Sequence, residues 1–430
     1  MKIGFVLTNF LPNNIGGTEV YVYRLIKYLE RLNIISFVLI ISKTSDTNEY
    51  VYNGIRIYEI PTIENQKSER SIYLNKIVEI EKPELIHVHE LIMPNGFNYL
   101  DLLYFKQLNL PVITTLHLAR YSCFMQNLQF EGSKECNALA DRVKCSKCFL
   151  SQKGVGIFSA PLTSFSQLLH QKKVKFNSPV SRLNTTLNIY YILDKHLNGL
   201  EQIFKNSDYV IAISKWYYDA LFQFSNQLKL IETGTLSRPE KVKIPNRTLV
   251  FAYIGRASYD KGLDLLIDAF IELNSCEYQL NIYTEYMSSV DDFIHALHNK
   301  TKLIANIKWY NSFEPDKIVE ILHGIDVIVV PSRIVEMSPL VIHEGKSMNK
   351  YIVASYNKGI DEVLENYEHK SIYYKNTTRH LLNTLIEINP SKLFTNKVNL
   401  VEAITFDNTS RNYYELYEHV LTNKEKMSID

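Results

Sequence analysis

Short apolar runs alternate along this chain with longer stretches in which apolar positions recur every three or four residues. The runs suit strands buried on both faces; the longer stretches suit helices with one buried side. In the first half the strand-like runs are 3–7, 34–41, 85–89, 111–117, 208–213 and 228–231. In the second half they are 249–255, 280–283, 304–309, 327–330 and 351–354. Thr18 to Leu32 reads as an amphipathic helix with Val20, Leu25, Ile26 and Leu29 on its apolar face, and Ser410 opens a last helix. Strand and helix in alternation predict parallel, doubly wound sheets, an α/β architecture.

The alternation stops once. Residues 237–247, rich in Pro, Lys and Glu, read as a hinge. The expected division is a Rossmann-like domain over 1–236, the hinge, a second Rossmann-like domain over 248–408, and a helix over 409–430 that crosses back to the first domain. A chain of 430 residues suits two such domains.

The stretch from Asp326 to Glu362 organises the second domain. Val327–Val330 ends at Pro331-Ser332, a loop carries Glu336, and Ser338-Pro339 looks like an N-cap followed by proline at the first helical position. The helix runs on through Leu340, Val341, Glu344 and Met348 to the strand at Tyr351, one parallel βαβ unit. Open α/β sheets bind ligands at the loops after their strands, and free amides at a helix start suit a phosphate. One crevice there can hold a diphosphate, with Glu336 and Glu344 reaching for hydroxyls on either side. Two surface carboxylates are the plain alternative.

Composition narrows the classes. The formal charge is +1, so no net field favours nucleic acid. The amino-terminal apolar run is short, lacks a small-residue cleavage site and ends in a Pro-Asn turn, which suits a first strand better than a signal peptide. No run is long enough for a spanning helix. A soluble, cytoplasmic protein is the expectation. Cys123, Cys136, Cys145 and Cys148 crowd together, and Cys145-x2-Cys148 is a good half-site for zinc. Four thiolates would close a structural site in an insertion over about 120–150. The other two spacings match no standard finger, so unliganded thiols are the alternative. Residues 152–200 read poorly. Phe165, Leu168, Leu169, Lys172, Lys173 and Lys175 suit either a basic amphipathic helix in peripheral contact with an inner membrane surface or a solvated helix over the acceptor side.

Glu336, seven residues and Glu344, together with Gly255-Arg256 and Lys261-Gly262 upstream, closely resemble the signatures of retaining nucleotide-sugar glycosyltransferases of family 4. That resemblance implies the GT-B fold, two Rossmann-like domains facing across a cleft. It places Glu336 on the donor sugar, Glu344 on the ribose, and Arg256 and Lys261 on the diphosphate. It also implies donor contacts at Gly16, Gly17, Ser214, Gly255, Tyr283, Ser338, Pro339, Leu340 and Val341, with Tyr283 near the base. His117 stands where the family has His-Asp, against the donor sugar; His87 and His89, also near strand ends, read as structural. Some family members that build surface polysaccharides have a similar Cys-rich insertion. Leu118, Asn349, Lys358 and Thr233 depart from the family pattern.

The implied chemistry is transfer of a sugar from a UDP-, GDP- or ADP-sugar to a glycan, lipid-linked or protein-linked acceptor, with retention and without a metal in catalysis. Cations in a dry cleft would stabilise the leaving diphosphate. In the front-face mechanism argued for the family, the donor's phosphate oxygen takes the acceptor proton and Glu336 orients the sugar. Two other readings stay open: a catalytically silent subunit that stabilises a partner or binds glycans, and a nucleotide-sugar epimerase.

Overall fold

The computed structural model describes residues 1–42, 47–62, 67–91, 96–132, 134–178, 180–236, 248–287, 291–388 and 404–427. The expected hinge, 237–247, lies outside the described residues. The chain divides into two compact units. Met1–Thr8, Ile34–Leu230 and Leu416–Asp430 form the first; Asn9–Asn33 and Ile231–Glu415 form the second.

The first unit is built on an eight-stranded sheet. Its strands are β1 (Lys2–Val6), β2 (Ile35–Ile41), β3 (Asn48–Tyr52), β4 (Ile55–Ile60), β5 (Leu85–Val88) and β6 (Val112–Leu116), followed after a two-stranded ribbon, β7 (Gln129–Phe130) and β8 (Lys134–Glu135), by β9 (Tyr209–Ala212) and β10 (Leu228–Leu230). The order is β10-β9-β6-β5-β1-β2-β4-β3, parallel except for the β3–β4 hairpin at the edge. That hairpin is absent from the sequence reading. Its signal was Asn53-Gly54: both residues take positive φ, 47° and 83°, as a two-residue hairpin turn requires.

Between β8 and β9 the chain folds into helices at Arg142–Gln152, Ser159–Gln171, Ser181–Leu187 and Ile189–Asn206. Phe149, Leu150, Ile189 and Leu193 are the buried centre of this insertion. Both expected readings put the lysines on a helix, and that placement is corrected here. The second helix stops at Gln171, so Lys172, Lys173 and Lys175 follow it on exposed chain, while Phe165 and Leu168 stay on it, 49% and 44% exposed.

The second unit holds a six-stranded, wholly parallel sheet: β11 (Leu249–Ile254), β12 (Tyr278–Tyr283), β13 (Ile307–Tyr310), β14 (Val327–Val330), β15 (Tyr351–Ser355) and β16 (Lys370–Tyr373). The order β13-β12-β11-β14-β15-β16 runs outward both ways from β11 and β14. These two neighbours pair Phe251 with Val327 and Ala252 with Ile328. A reversal of strand order leaves a crevice at the carboxyl ends of the two strands, the usual ligand position in such sheets. Apolar clusters cover both faces, one around Phe251, Leu266 and Val329, the other around Ile328, Ile342 and Ile352.

The helix Gly17–Arg31 packs with the second unit, not with the strand that precedes it. Tyr23 Oη donates to Asp316 Oδ2 at 2.9 Å, and Tyr21 Oη meets Tyr413 Oη at 3.2 Å. Its partners are thus side chains far along the sequence, which explains why a boundary at 236 misses it. The last helix, Phe406–Met427, gives its start to the second unit and, from Leu416, its end to the first.

Candidate active site

The crevice of the second unit is lined by the loops after β11 and β14. The first carries Gly255, Arg256 and Lys261; the second carries Glu336 and Ser338. They are tied together. Arg333 N–H donates to Asp260 O at 2.8 Å, and the Arg333 guanidinium grips both Asp264 oxygens at 2.7 Å while lying 3.9 Å over the Tyr259 ring. Bidentate geometry with a stacked ring holds one arrangement better than a point charge would.

Two glycines allow the close approach. At Gly262, φ is +70° and a Cβ would stand 2.0 Å from Pro331 O. At Gly359 a Cβ would stand 1.7 Å from Glu336 O. Any side chain at either position would push the Glu336 loop out of place. From the other side Asn357 Oδ1 accepts from Glu336 N–H at 3.2 Å, and Asn357 Nδ2 donates to Ile334 O. Asn349 adopts a left-handed φ of 51°, a conformation that asparagine tolerates better than most residues.

So held, Glu336 receives Lys261. The ammonium stands 2.6 and 2.8 Å from the two carboxylate oxygens. Arg256 is exposed on the same loop, with Tyr253 Oη donating to its carbonyl at 2.7 Å. The helix Leu340–Ser347 starts one residue later than the sequence suggests. Pro339, with an extended ψ of 116°, occupies the N-cap, and no side chain caps the helix. Ser338 is not the cap, because its hydroxyl is engaged with His343 Nε2 at 2.8 Å. His343 stays neutral: burial, then Lys346, drives it down to about 3. Uncapped, the amides of the half-buried residues Leu340 and Val341 start a helix with its positive dipole end toward the crevice. A fixed cation, an exposed arginine and a bare helix start together suit a diphosphate.

Glu344, buried in the same helix, has a partner that sequence reasoning missed. Arg24 Nη2 donates to Glu344 Oε1 at 2.5 Å, with both side chains mostly buried. The only sequence hint was an arginine set between Tyr23 and Leu25 in an apolar stretch. Gly16 is the N-cap of that helix, with an ordinary extended φ of −117°, but a Cβ there would crowd the Glu19 carboxylate at 2.5 Å. At Gly17 a Cβ would meet nothing within 4 Å. Tyr283, at the end of β12, is half-buried and stacks on Tyr310 with ring centroids 4.7 Å apart.

The remaining expected residues belong to the first unit. His117 follows β6, and its Nε2 is 2.8 Å from His89 Nδ1. His87 Nδ1 meets Tyr417 Oη at 2.6 Å and His87 Nε2 meets Thr115 Oγ1 at 2.8 Å. Burial lowers the pKa of all three histidines, His117 to about 3, so they are neutral imidazoles at physiological pH. His89 thus steadies His117 by hydrogen bond and stacking, while the His87 ring lies tilted against His89 with centroids 3.9 Å apart. Ser214 caps Lys215–Leu221 without a side-chain bond, and its buried hydroxyl has no hydrogen-bond partner.

The four clustered cysteines are free thiols that line one small cavity beside the β7–β8 ribbon. Burial, then neighbouring thiols among the lesser causes, pushes Cys145 up to about 11; Cys123 also rises through burial.

Residues 15–145 match the model of Glycosyltransferase Family 4, and residues 237–392 match that of Glycosyl transferases group 1. A lipopolysaccharide 1,2-N-acetylglucosaminetransferase of Salmonella typhimurium is 25% identical over 130 residues, 29% of this chain; the match spans about a third (34%) of that relative's length. A glycosyltransferase from Rickettsia africae has a similar structure, with TM-score 0.60 at 14% identity over 98% of this chain and 99% of that one. Sucrose-phosphate synthase from Thermosynechococcus elongatus gives 0.58 at 15% over 99% and 98%, and Anabaena HepE, solved with UDP-glucose, gives 0.56 at 15% over 100% and 98%. Among the described residues no helix is long and apolar enough to cross a membrane. With both family models matched and each unit built on a mainly or wholly parallel α/β sheet, the chain belongs to the group 1, family 4 glycosyltransferases of GT-B fold.

Proposed function

We propose that this protein moves a sugar, with retention at the anomeric carbon, from a nucleoside-diphosphate sugar to a glycan or lipid-linked acceptor in the synthesis of a surface polysaccharide or glycoconjugate. The observation that carries the proposal is the Lys261–Glu336 pair beside an uncapped helix start. Before donor arrives, each charge neutralises the other. A diphosphate offers Lys261 a stronger partner, and the released Glu336 carboxylate then faces the sugar as a hydrogen-bond acceptor. Arg256 and the Leu340 and Val341 amides would complete the anion site, and charge growing on the leaving diphosphate would strengthen each contact at the transition state. Tyr283 on Tyr310 offers a face for the base. Glu344, oriented by Arg24, would accept from the ribose hydroxyls.

The related HepE structure in complex with UDP-glucose makes UDP-sugars the first donors to test, followed by GDP- and ADP-sugars. The Salmonella relative supports an acceptor on the way to a surface glycan. Exposed Ile157 and Phe158, 88% and 63% accessible, with Lys172, Lys173 and Lys175 on the same insertion, favour a lipid-linked acceptor met at a cytoplasmic membrane surface.

The test is a panel of nucleotide sugars read by thermal shift and by donor hydrolysis, with Arg256→Ala and Lys261→Ala in parallel. One donor should stabilise the wild type, and either variant should weaken nucleoside-diphosphate binding by about tenfold to a hundredfold, the loss of one charge-assisted contact. A wild type that no donor stabilises, yet which binds a partner protein, would make it a silent subunit instead.

A further inference from the structure

We propose that Cys123, Cys136, Cys145 and Cys148 form a structural metal site, a tetrathiolate centre for a zinc-class ion that fastens the loop after β6 to the helical insertion. Three observations carry it. The first is convergence: four thiols from a loop, a strand end and a helix all line one small cavity, in a chain whose fifth cysteine, Cys276, is exposed elsewhere. Cys145 and Cys148 are one turn apart on Arg142–Gln152, so their side chains leave the same face.

The second is what surrounds the sulfurs. Cys148 Sγ accepts from Glu131 N–H at 3.2 Å and from Gln152 Nε2 at 3.3 Å. Among the described residues Cys148 Sγ reaches Gln129 O at 3.5 Å and Cys123 Sγ reaches Asn127 Oδ1 at 4.0 Å, both long for a donor. Metal-bound thiolates are oriented by N–H donors, and Cys148 already has two of them.

The third is the backbone. Gln126, Leu128, Glu131 and Ala138 all have positive φ, between 50° and 64°, and Gly132 has 79°. Non-glycine residues enter this region only at a cost in strain. The segment has little regular structure to offset that cost: the β7–β8 ribbon has two residues per strand. The cluster behind it has four buried residues. A cross-link of the four side chains supplies what so small a core does not.

Among the described residues no three ligating side chains already stand at metal-binding geometry, so the ion must draw the sulfurs inward from the cavity wall. Binding replaces four S–H protons with four metal–sulfur bonds, releasing four protons and leaving a net charge of −2. Lys144, which lines the cavity, offsets part of that charge. With four protein ligands the ion has no open position, so its role is to hold the fold.

The full-length protein, purified without chelator, should carry about one zinc per chain by elemental analysis. Exchanged into cobalt(II), it should show the intense visible bands of a tetrahedral tetrathiolate. Cys148→Ser should lose the metal and lower the melting temperature, whereas Cys276→Ser should change neither. If Cys148→Ser does not fold, the wild-type zinc content and cobalt spectrum decide alone. A native wild type with no bound metal and four reactive thiols, or with disulfides among the four, would overturn the proposal.

Discussion

Replacing Glu336 by Gln should separate nucleotide binding from turnover in opposite directions. Lys261 is committed to Glu336 at 2.6 and 2.8 Å, and a diphosphate must take it away. The Lys261 side chain is 30% exposed and that of Glu336 is 11% exposed. An exposed pair contributes well under 1 kcal/mol, and a charged hydrogen bond out of solvent 1.5–3, so about 1 kcal/mol is the reasonable value here. Glu336→Gln keeps the shape and removes the competing charge. Nucleoside diphosphate without sugar should therefore bind the variant about fivefold more tightly. Turnover should fall by roughly a hundredfold or more, because the carboxylate answers positive charge that develops on the sugar only as the glycosidic bond breaks. Calorimetry with the nucleoside diphosphate and initial rates at saturating donor measure the two effects separately. Tenfold weaker nucleotide binding in the variant, or unimpaired turnover, would refute the argument.

Two further outcomes follow. Arg24→Ala and Glu344→Gln should each destabilise the protein by about 3 kcal/mol, since each strands the other's charge in a site where the side chains are 13% and 8% exposed. The double variant should cost less than the sum, with a coupling of about 1–3 kcal/mol by urea unfolding, and strict additivity would show that the pair does not form. Stability should also fall with acid: His87, His89 and His117 are buried and neutral, with folded pKa values below their unfolded value of about 6.5. Their contribution is complete above that value and is lost as pH drops below about 6.5, for His117 down to about 3, by up to about 1.4 kcal/mol per pH unit for each. A melting temperature that stays flat between pH 7 and 5 would contradict this.

Much of this protein was legible from local pattern. The parallel strands could be read because strands buried on both faces must be apolar throughout, and the βαβ unit around Glu336 because loop, proline and helix follow one another in sequence. The motif residues could be named because strand–loop–helix spacing carries them to the end of a strand whatever the rest of the chain does. The β3–β4 hairpin went unread although Asn53-Gly54 announced it, since its edge strand is too polar to resemble the buried ones. The basic stretch after Gln171 was read as helix because charge and apolar spacing do not say where a helix ends.

Other features had no local signal. That Lys261 neutralises Glu336, that Arg24 neutralises Glu344 across more than 300 residues of sequence, and that His89 holds His117 are matters of which surfaces meet. The roles of Gly262 and Gly359 are of the same kind: each is glycine because a distant carbonyl passes where its Cβ would be. Propensity and periodicity act over a few neighbouring residues, so the sequence by itself determined the strands, their alternation with helices and the chemistry of the motif loops. Charge pairing, close backbone approach and burial of the histidines depend on packing between segments remote in sequence, so only the tertiary structure decided them.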